Sequence, residues 1–293
     1  MNIVFIHSVH NNTHPTRPLE GQAAIPLGIS YLVSYLRTHG YNSHILVLNI
    51  NNKKYLRKYL EDCDPHLVGF SPVATEYPFI RNIAREIKEW QPDIFLIAGG
   101  PHVSINPEAC IQDSFDGLCI GEGEEALVEL AQQLDQGRSP QGIPNLWLKK
   151  GRQLERNPPR PFYANLDCLP FPEREGWRPW ILQPVSTISI LLGRGCPFNC
   201  TYCCNHVLRN LAPGTYVRLR SPDSIIAELE ELNSRYPENK DIWLEVETFG
   251  IDFDWVQELC TGIAKFNATL KESIAFGTNL RITPKVQSDA FFL

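Results

Sequence analysis

Three cysteines with short, regular spacing are the residues of this chain best suited to hold a metal centre. Cys196, Cys200 and Cys203 follow the pattern C-x₃-C-x₂-C. Thiolates are the ligands that iron–sulfur clusters take, and a short loop can bring three sulfurs to three corners of one [4Fe–4S] cube. Three cysteines leave the fourth iron without a protein ligand, as a catalytic zinc ion keeps one open position. That iron can bind a substrate or a cofactor.

A zinc site, a disulfide framework and chance clustering each account less well for these three cysteines. Structural zinc favours four ligands in paired C-x₂-C knuckles, and no second knuckle follows. A disulfide framework is unusual in a chain of this length whose first residues do not resemble a signal peptide. Chance clustering is the third alternative. Cys204 adds a fourth thiol, but the side chain of a residue next to Cys203 is expected to point elsewhere.

The cysteine loop follows a stretch with the pattern of a buried strand. Residues 185–192 are apolar and rich in β-branched side chains. The loop therefore leaves the C-terminal end of a strand, which is where sites are built in barrel folds. Gly193 and Gly195 let the backbone pass close to a bound cluster, and Pro197 stiffens the turn.

This motif, with Tyr202 directly before its last cysteine, resembles the radical S-adenosylmethionine (radical SAM) superfamily. The resemblance implies that Cys196, Cys200 and Cys203 hold a [4Fe–4S] cluster whose open iron binds the amino and carboxylate groups of S-adenosylmethionine. It implies that one electron then cleaves the sulfonium and releases a 5′-deoxyadenosyl radical. An electron donor such as a flavodoxin or ferredoxin is implied as a partner, and Tyr202 as a cofactor-binding residue.

Composition limits the class of protein. A length of 293 residues predicts two domains, and 43% hydrophobic residues are ample for packed cores. With 27 basic and 33 acidic residues the net charge is −6, so no nucleic-acid partner is implied. No apolar run is long enough to span a bilayer. The nine cysteines and the lack of a cationic start predict a cytoplasmic protein.

Strand and helix patterns alternate through the first half, which predicts a doubly wound, Rossmann-like parallel sheet in a domain of residues 1–140. The predicted strands are residues 2–6, 43–48, 67–71, 93–98 and 117–120, with helices at 27–39, 53–61, 79–90 and from 124 to about 134. Ligands of such sheets bind at the carboxyl ends of the strands. The candidate cofactor-binding residues at those ends are Ser71, Gly99, Gly100, His102, Gly121, Glu122, Gly123 and Glu124.

Together these strand ends resemble the cobalamin-binding domain of one large radical SAM subfamily. The resemblance covers most of residues 1–135 and rests on the motifs at 26–29, 68–71, 98–102 and 121–124. It implies that a corrin lies across the strand ends and that its nucleotide tail inserts beside the sheet. Residues 64–69 also spell D-x-H-x-x-G, a cobalt-ligand motif of other cobalamin proteins. Here the motif leads into a strand instead of following one, so we interpret His66 as a loop residue.

The second half is predicted to join the first through a linker at residues 141–182, with a small hairpin and a proline-rich crossing segment. Residues 183–293 are then the first half of a TIM-type radical SAM barrel. Its predicted strands are 185–192, 241–246 and 273–277, with helices at 222–236 and 252–266. The barrel of the family has six strand–helix units. We therefore expect a fragment, a barrel completed by a second polypeptide, or a degenerate protein.

Three polar residues near the cysteine loop are candidates for contacting S-adenosylmethionine. Arg218 and Arg220 follow the loop and could pair with a carboxylate or phosphate, although exposed surface charge is an equal alternative. Glu247 follows the second barrel strand, where the resemblance implies a polar or acidic motif that faces the amino group of S-adenosylmethionine. The subfamily often has two acidic residues before Thr-Phe, and here the first is Val246.

The sequence therefore predicts a cobalamin-dependent radical SAM enzyme that transfers a methyl group to an unactivated carbon of a small-molecule substrate. A cobalamin-assisted cyclisation or rearrangement is the enzymatic alternative, and a non-catalytic cobalamin or iron–sulfur binding module is the other. A nucleic-acid methylthiotransferase is disfavoured. It would need further clustered cysteines and a basic surface, whereas Cys63, Cys110 and Cys119 are scattered and the net charge is negative.

Overall fold

A computed structural model describes residues 1–10 and 14–281 of the chain. The last residues, on which the expectation of a truncated barrel partly rests, lie outside this range. In the first half the elements are β1 (Asn2–Ser8), β2 (Leu19–Gly21), α1 (Leu27–Thr38), β3 (Asn42–Leu48), α2 (Leu56–Cys63), β4 (Leu67–Phe70), α3 (Tyr77–Trp90), β5 (Phe95–Ala98), α4 (Gly100–Ile105), α5 (Pro107–Cys110), β6 (Gly117–Cys119), α6 (Glu124–Asp135), β7 (Leu146–Lys150) and β8 (Gln153–Arg156).

The second half begins with a short strand that belongs to the crossing segment. Its elements are β9 (Ile181–Gln183), β10 (Ile188–Leu191), β11 (Gly193–Arg194), α7 (Asn205–Leu208), β12 (Arg218–Leu219), α8 (Pro222–Arg235), β13 (Asp241–Phe249), α9 (Phe253–Ala268) and β14 (Ala275–Leu280). Among the helices that are described, none has the length and apolar character that a membrane crossing requires.

The first half forms a seven-stranded sheet in the order β3-β1-β4-β5-β6-β7-β8. The first five of these strands are parallel, and β7 and β8 add to the edge as an antiparallel hairpin. The predicted doubly wound α/β fold is confirmed. The strand order reverses at β1, which lies between β3 and β4, so the carboxyl ends of these strands mark the ligand-binding edge of the sheet.

Burial on both faces explains why β1 is apolar without alternation. Val4 and Ile6 face one hydrophobic cluster, and Ile3 and Phe5 face the other. Helices cover both faces of a parallel sheet, so successive side chains are all buried and all apolar. The same logic makes β4 a run of four buried residues.

The predicted hairpin and crossing segment both pack on the first sheet. Leu146 and Leu148 of β7 are buried in its core. The indole of Trp177 is fully buried, and its Nε1–H donates to Ser30 Oγ of α1 at 2.8 Å. β9 pairs in parallel with β2, a contact that the sequence did not predict. The division of the chain into domains at residues 140 and 182 stays a prediction.

The second half forms a parallel three-stranded sheet, β10-β13-β14, with α8 and α9 packed against it. This is the expected start of a β/α barrel. Ser221 caps α8 by accepting from the Ser224 N–H at 3.1 Å, and Pro222 takes the first helical position, as predicted. The first strand starts at Ile188, three residues later than predicted, and the third continues to Leu280.

A buried group of three charges ties the crossing segment to this second sheet. Glu228 of α8 accepts hydrogen bonds from Arg174, at 3.0 Å, and from Arg220. The three side chains are 2–5% exposed. Arg174 also donates to the backbone carbonyl of Ser189 in β10 at 2.7 Å. Glu228 is the carboxylate that both buried guanidinium groups share, so its loss would leave two buried positive charges without an acidic partner.

We predict that Glu228→Ala strongly destabilises the protein. Removing the carboxylate leaves two buried guanidinium groups uncompensated, which costs about 3–5 kcal/mol of unfolding free energy. Urea denaturation followed by circular dichroism measures the loss. Glu231→Ala is the matched control, because it removes a carboxylate of the same helix whose ion pair with Arg235 is exposed and contributes less than about 1 kcal/mol. Equal effects of the two substitutions would contradict the prediction.

Candidate functional site

A cavity of about 580 Å³ lies between the carboxyl ends of the two sheets. Its first wall comes from β1, β4, β5 and β6 and from α1. Its second wall comes from β11, the residues after the cysteine loop, and the inward face of β13. The lining residues used below are Phe5, Gly28, Gly69, Ser71, Gly99, Gly100, Gly121, Glu122, Gly123, Glu124, Phe162, Arg194, Asn205, Tyr216, Arg218, Glu245, Glu247 and Asn279.

Glycines leave several positions of the first wall without side chains. Gly100 has φ +84°, and a Cβ there would lie 2.6 Å from Ser71 Oγ. At Gly69 a Cβ would lie 2.7 Å from the Phe5 ring. Gly28 is different, since a Cβ added there would meet no atom within 4 Å. The wall therefore has exposed backbone at its glycines, between side chains such as those of Phe5 and Tyr31, with open space at Gly28.

Carboxylates of the first wall bind arginines of the second half. Glu122 accepts from Arg218 at 2.9 and 3.0 Å and from Arg194 at 3.0 Å. Glu124 accepts from Arg194 at 2.6 Å. The backbone N–H of Tyr163 also donates to Glu122, at 2.9 Å. Because charged partners at this spacing hold each other strongly when half-buried, these contacts fix the two walls relative to one another.

The arginines hold Glu122 in its charged form. Burial alone would raise the pKa of this carboxyl, but the hydrogen bond from Arg218 and the charges of Arg194 and Arg218 outweigh burial and keep the pKa below its ordinary value of 4.5. Its ionised state therefore contributes stability above pH 4.5, and that contribution is lost as the pH falls through the lowered pKa.

The three predicted cluster ligands face the ends of two barrel strands. Cys196 Sγ lies 3.4 Å from Thr248 Oγ1 at the end of β13. The Asn205 amide donates to Cys203 Sγ at 3.5 Å and to the Glu247 carboxylate at 3.2 Å. Cys200 contacts the residue after β14, Arg281, whose Nη1 is 3.4 Å from Sγ.

The surroundings of Cys200 differ from those of Cys204. The hydrogen bond from Arg281 holds the pKa of Cys200 below its ordinary value, which favours the thiolate that binds iron. Burial raises the pKa of Cys204. Within residues 1–10 and 14–281, no three His, Cys, Asp or Glu side chains converge on a point where they could hold a metal ion. A cube-shaped cluster does not require such convergence, because each thiolate binds a different iron.

Most of the predicted site residues line the cavity, and several lie apart from it. Those on the cavity are Ser71, Gly99, Gly100, Gly121, Glu122, Gly123, Glu124, Arg218 and Glu247. His102 belongs to α4 and packs its ring against Tyr77, with centroids 4.5 Å apart. Tyr202 is 91% exposed. Arg220 points into the buried contact with Glu228. The roles assigned to all these residues stay predictions, as does that of the three cysteines.

His66 lies at the opposite edge of the first sheet from the cavity. It is exposed and directly precedes β4, and its backbone N–H donates to the Asn2 carbonyl at the start of β1. The amino ends of parallel strands share one edge, so the His66 imidazole is remote from the glycine-rich wall. This position agrees with its interpretation as a loop residue.

Sequence reasoning missed three residues of this region: Arg194, Glu245 and Arg281. In β13 the buried residues Ile242, Leu244 and Val246 alternate with residues of the other face. Glu245 therefore shares the inward face with Glu247 and lines the cavity. The alternation was visible in the sequence and could have identified this second acidic residue. No sequence pattern of this kind indicated which residues Arg194 and Arg281 contact.

The comparisons with known proteins agree with this geometry. Residues 21–131 match the B12 binding domain family, a range that contains every glycine of the first wall. The chain is 28% identical over 263 residues to an uncharacterised methyltransferase, PH0819, of Pyrococcus horikoshii, covering 80% of this chain and 55% of that protein. It is 25% identical over 251 residues to the anaerobic magnesium-protoporphyrin IX monomethyl ester cyclase of Rubrivivax gelatinosus, covering 79% and 42%.

The fold matches a solved structure of TsrM, a radical S-adenosylmethionine methyltransferase of Kitasatospora setae, with cobalamin and a [4Fe–4S] cluster bound. The TM-score is 0.68 at 21% identity, over 93% of this chain and 52% of that one. The chain is thus similar to cobalamin-dependent radical SAM proteins, and its residues 21–131 match a B12 binding domain. It spans about half the length of the relatives it matches, and the family recognition made from the motifs is confirmed.

We predict that acid weakens the contact between the two walls through Glu122. On acidification below pH 4.5 the wild-type protein should lose stability as this carboxylate becomes protonated. Glu122→Gln should be less stable than wild type at pH 7 but should lose less on further acidification. Thermal midpoints between about pH 7 and pH 3.5 measure both effects, with Glu231→Gln as the control. Parallel pH curves for wild type and Glu122→Gln would contradict the assignment.

Proposed function

We propose that this protein is a radical SAM enzyme that uses a [4Fe–4S] cluster and cobalamin to methylate a carbon atom of a small molecule. One observation supports this most. The glycine wall of the B12 binding domain and the strand ends beside the cysteine loop line the same cavity. A substrate in that cavity would have both cofactors within reach, which proximity catalysis requires.

The first wall fits a large planar ligand. Its glycines carry no side chains, and Gly28 faces open space beside it. When bound there, cobalamin would supply the methyl group. The protein's own part is to present flat backbone at Gly69, Gly99 and Gly100 and to keep the wall in place through Glu122 and Glu124.

The second wall fits a cationic cofactor next to a cluster. Glu245 and Glu247 project from the inward face of β13, and neither forms an ion pair with another described residue. The Asn205 amide bridges Glu247 and Cys203, so a group bound by this carboxylate would lie beside the cysteine loop. The sulfonium and ammonium groups of S-adenosylmethionine are positive, and unpaired carboxylates in a cavity attract such charges.

A cobalamin-assisted radical cyclase is the second candidate, and the likeness to the Rubrivivax gelatinosus cyclase favours it. The same two walls would serve, and only the fate of the substrate radical differs. Product analysis separates the two reactions, because methyl transfer adds one carbon and cyclisation adds none. A binding module without catalysis would keep both chromophores and release no 5′-deoxyadenosine. An electron donor such as a flavodoxin or ferredoxin is part of the proposal.

The cluster is tested by replacing one ligand. After anaerobic reconstitution with iron, sulfide and hydroxocobalamin, Cys200→Ala should bind little iron and lose the absorption of the cluster. With S-adenosylmethionine and dithionite, 5′-deoxyadenosine formation should fall at least tenfold below wild type. Cys204→Ala, the neighbouring thiol, should keep its iron. Unchanged iron content in Cys200→Ala would overturn the cluster assignment. Equal losses of iron in Cys200→Ala and Cys204→Ala would show that the experiment does not distinguish a ligand from a neighbouring thiol.

The proposed cobalamin-binding site at the first wall is tested by adding a bulky side chain there. A phenyl group at residue 28 meets no protein atom at its Cβ, so Gly28→Phe should fold, and Gly is also the poorer helix former. The ring would occupy space that the corrin needs, and we expect at least a tenfold loss of hydroxocobalamin affinity. Thr38→Phe places the same ring at the exposed end of α1 and should bind as wild type. Wild-type affinity in Gly28→Phe would show that the corrin lies elsewhere.

A further inference from the structure

Arg281 contacts the cysteine loop at two points. Its Nη1 lies 3.4 Å from Cys200 Sγ, and its guanidinium lies 3.8 Å from the centroid of the Phe198 ring. Arg281 directly follows β14, so the contacts join the end of the third barrel strand to the stretch between the first two cysteines. Stacking on Phe198 orients the planar group, and its N–H then points at the sulfur.

The other two predicted ligands have neutral partners. Cys196 Sγ is next to the hydroxyl of Thr248, and Cys203 Sγ is next to the amide of Asn205. Within the described part of the chain, Cys200 is the ligand whose sulfur accepts from a cation. Hydrogen bonds to sulfur are among the factors that set the reduction potential of iron–sulfur clusters. Reduction adds negative charge to the cluster, so a cationic donor stabilises the reduced form more than the oxidised form.

We propose that Arg281 is a positioning residue of the cluster, which donates to the Cys200 thiolate and raises the reduction potential. This inference rests on the proposed function, because it requires the cluster. The step it affects is the transfer of one electron from an external reductant, such as dithionite or a reduced flavodoxin, to the oxidised cluster. No bond is formed or broken in that step, and Arg281 stays protonated throughout.

A second arginine that contacts the cysteine loop provides a matched control. Arg209 donates through Nη2 to the carbonyl oxygens of Cys196, at 2.7 Å, and Phe198, at 3.3 Å. It therefore carries the same charge and anchors the same loop, but through carbonyl oxygens. Comparing Arg281→Met with Arg209→Met separates a hydrogen bond to sulfur from the loss of a nearby charge or of loop rigidity.

The experiment is a potentiometric titration of the reconstituted cluster, followed by the electron paramagnetic resonance signal of its reduced form. We expect Arg281→Met to lower the reduction potential by about 59 mV, which is a tenfold decrease in the equilibrium constant for one-electron reduction. Arg281→Lys should lower it less, because the charge is kept. Arg209→Met should shift it less than half as far as Arg281→Met.

The outcomes separate this inference from the proposed function. A wild-type chain that binds no iron and sulfide would overturn the proposed function, and the inference with it. A cluster in wild type whose potential is unchanged in Arg281→Met would overturn the inference alone, as would equal shifts in Arg281→Met and Arg209→Met. If Arg281→Met loses its cluster, Arg281→Gln, which keeps an N–H donor but not the charge, decides, and a wild-type potential in that variant overturns the inference.

Discussion

A carboxylate between two arginines joins the two halves of this protein at the cavity that they share. Arg194 of β11 and Arg218 of β12 are directly opposite each other in an antiparallel ribbon. Like charges in such a pair repel, which makes the ribbon unfavourable by itself. Glu122 accepts hydrogen bonds from both arginines, and Glu124 takes a second donor of Arg194. The ribbon of the second half therefore depends on a loop of the first half.

This dependence extends to the cysteines, because the ribbon leads directly into their loop. Gly195 follows Arg194 with φ +87°, and its Cα lies so close to the Tyr216 carbonyl that a side chain would collide with it. Cys196 comes next. The position of the first cysteine is thus set by a turn that only glycine tolerates, at the end of a ribbon that Glu122 holds in place. A substitution that weakens the contact between the halves would therefore also displace Cys196, the first predicted cluster ligand.

The fold and the edge that carries the site were predictable because they follow from local patterns. Continuous apolar runs separated by amphipathic helices predict a parallel sheet, and its carboxyl ends then collect the residues that follow each strand. The partners of the charged residues were not predictable in this way. Arg218 was assigned to a cofactor, yet its carboxylate partner is 96 residues earlier in the chain. Arg220 was assigned likewise and lies in a buried contact with Glu228. The sequence around an arginine does not show whether it binds a ligand or forms an ion pair with a glutamate that is distant in the chain.

The distribution of charge differs between the two walls of the cavity, as the proposed binding of two different cofactors requires. The acidic loop of the first wall is neutralised by Arg194 and Arg218, so that wall presents glycine backbone and no net charge to the cavity. On the second wall Glu245 and Glu247 keep their carboxylates without a cationic partner among the described residues. In the proposed function a planar ligand would bind at the first wall and a cation at the second. The arginines that join the halves therefore also contribute to the difference in charge between the two walls.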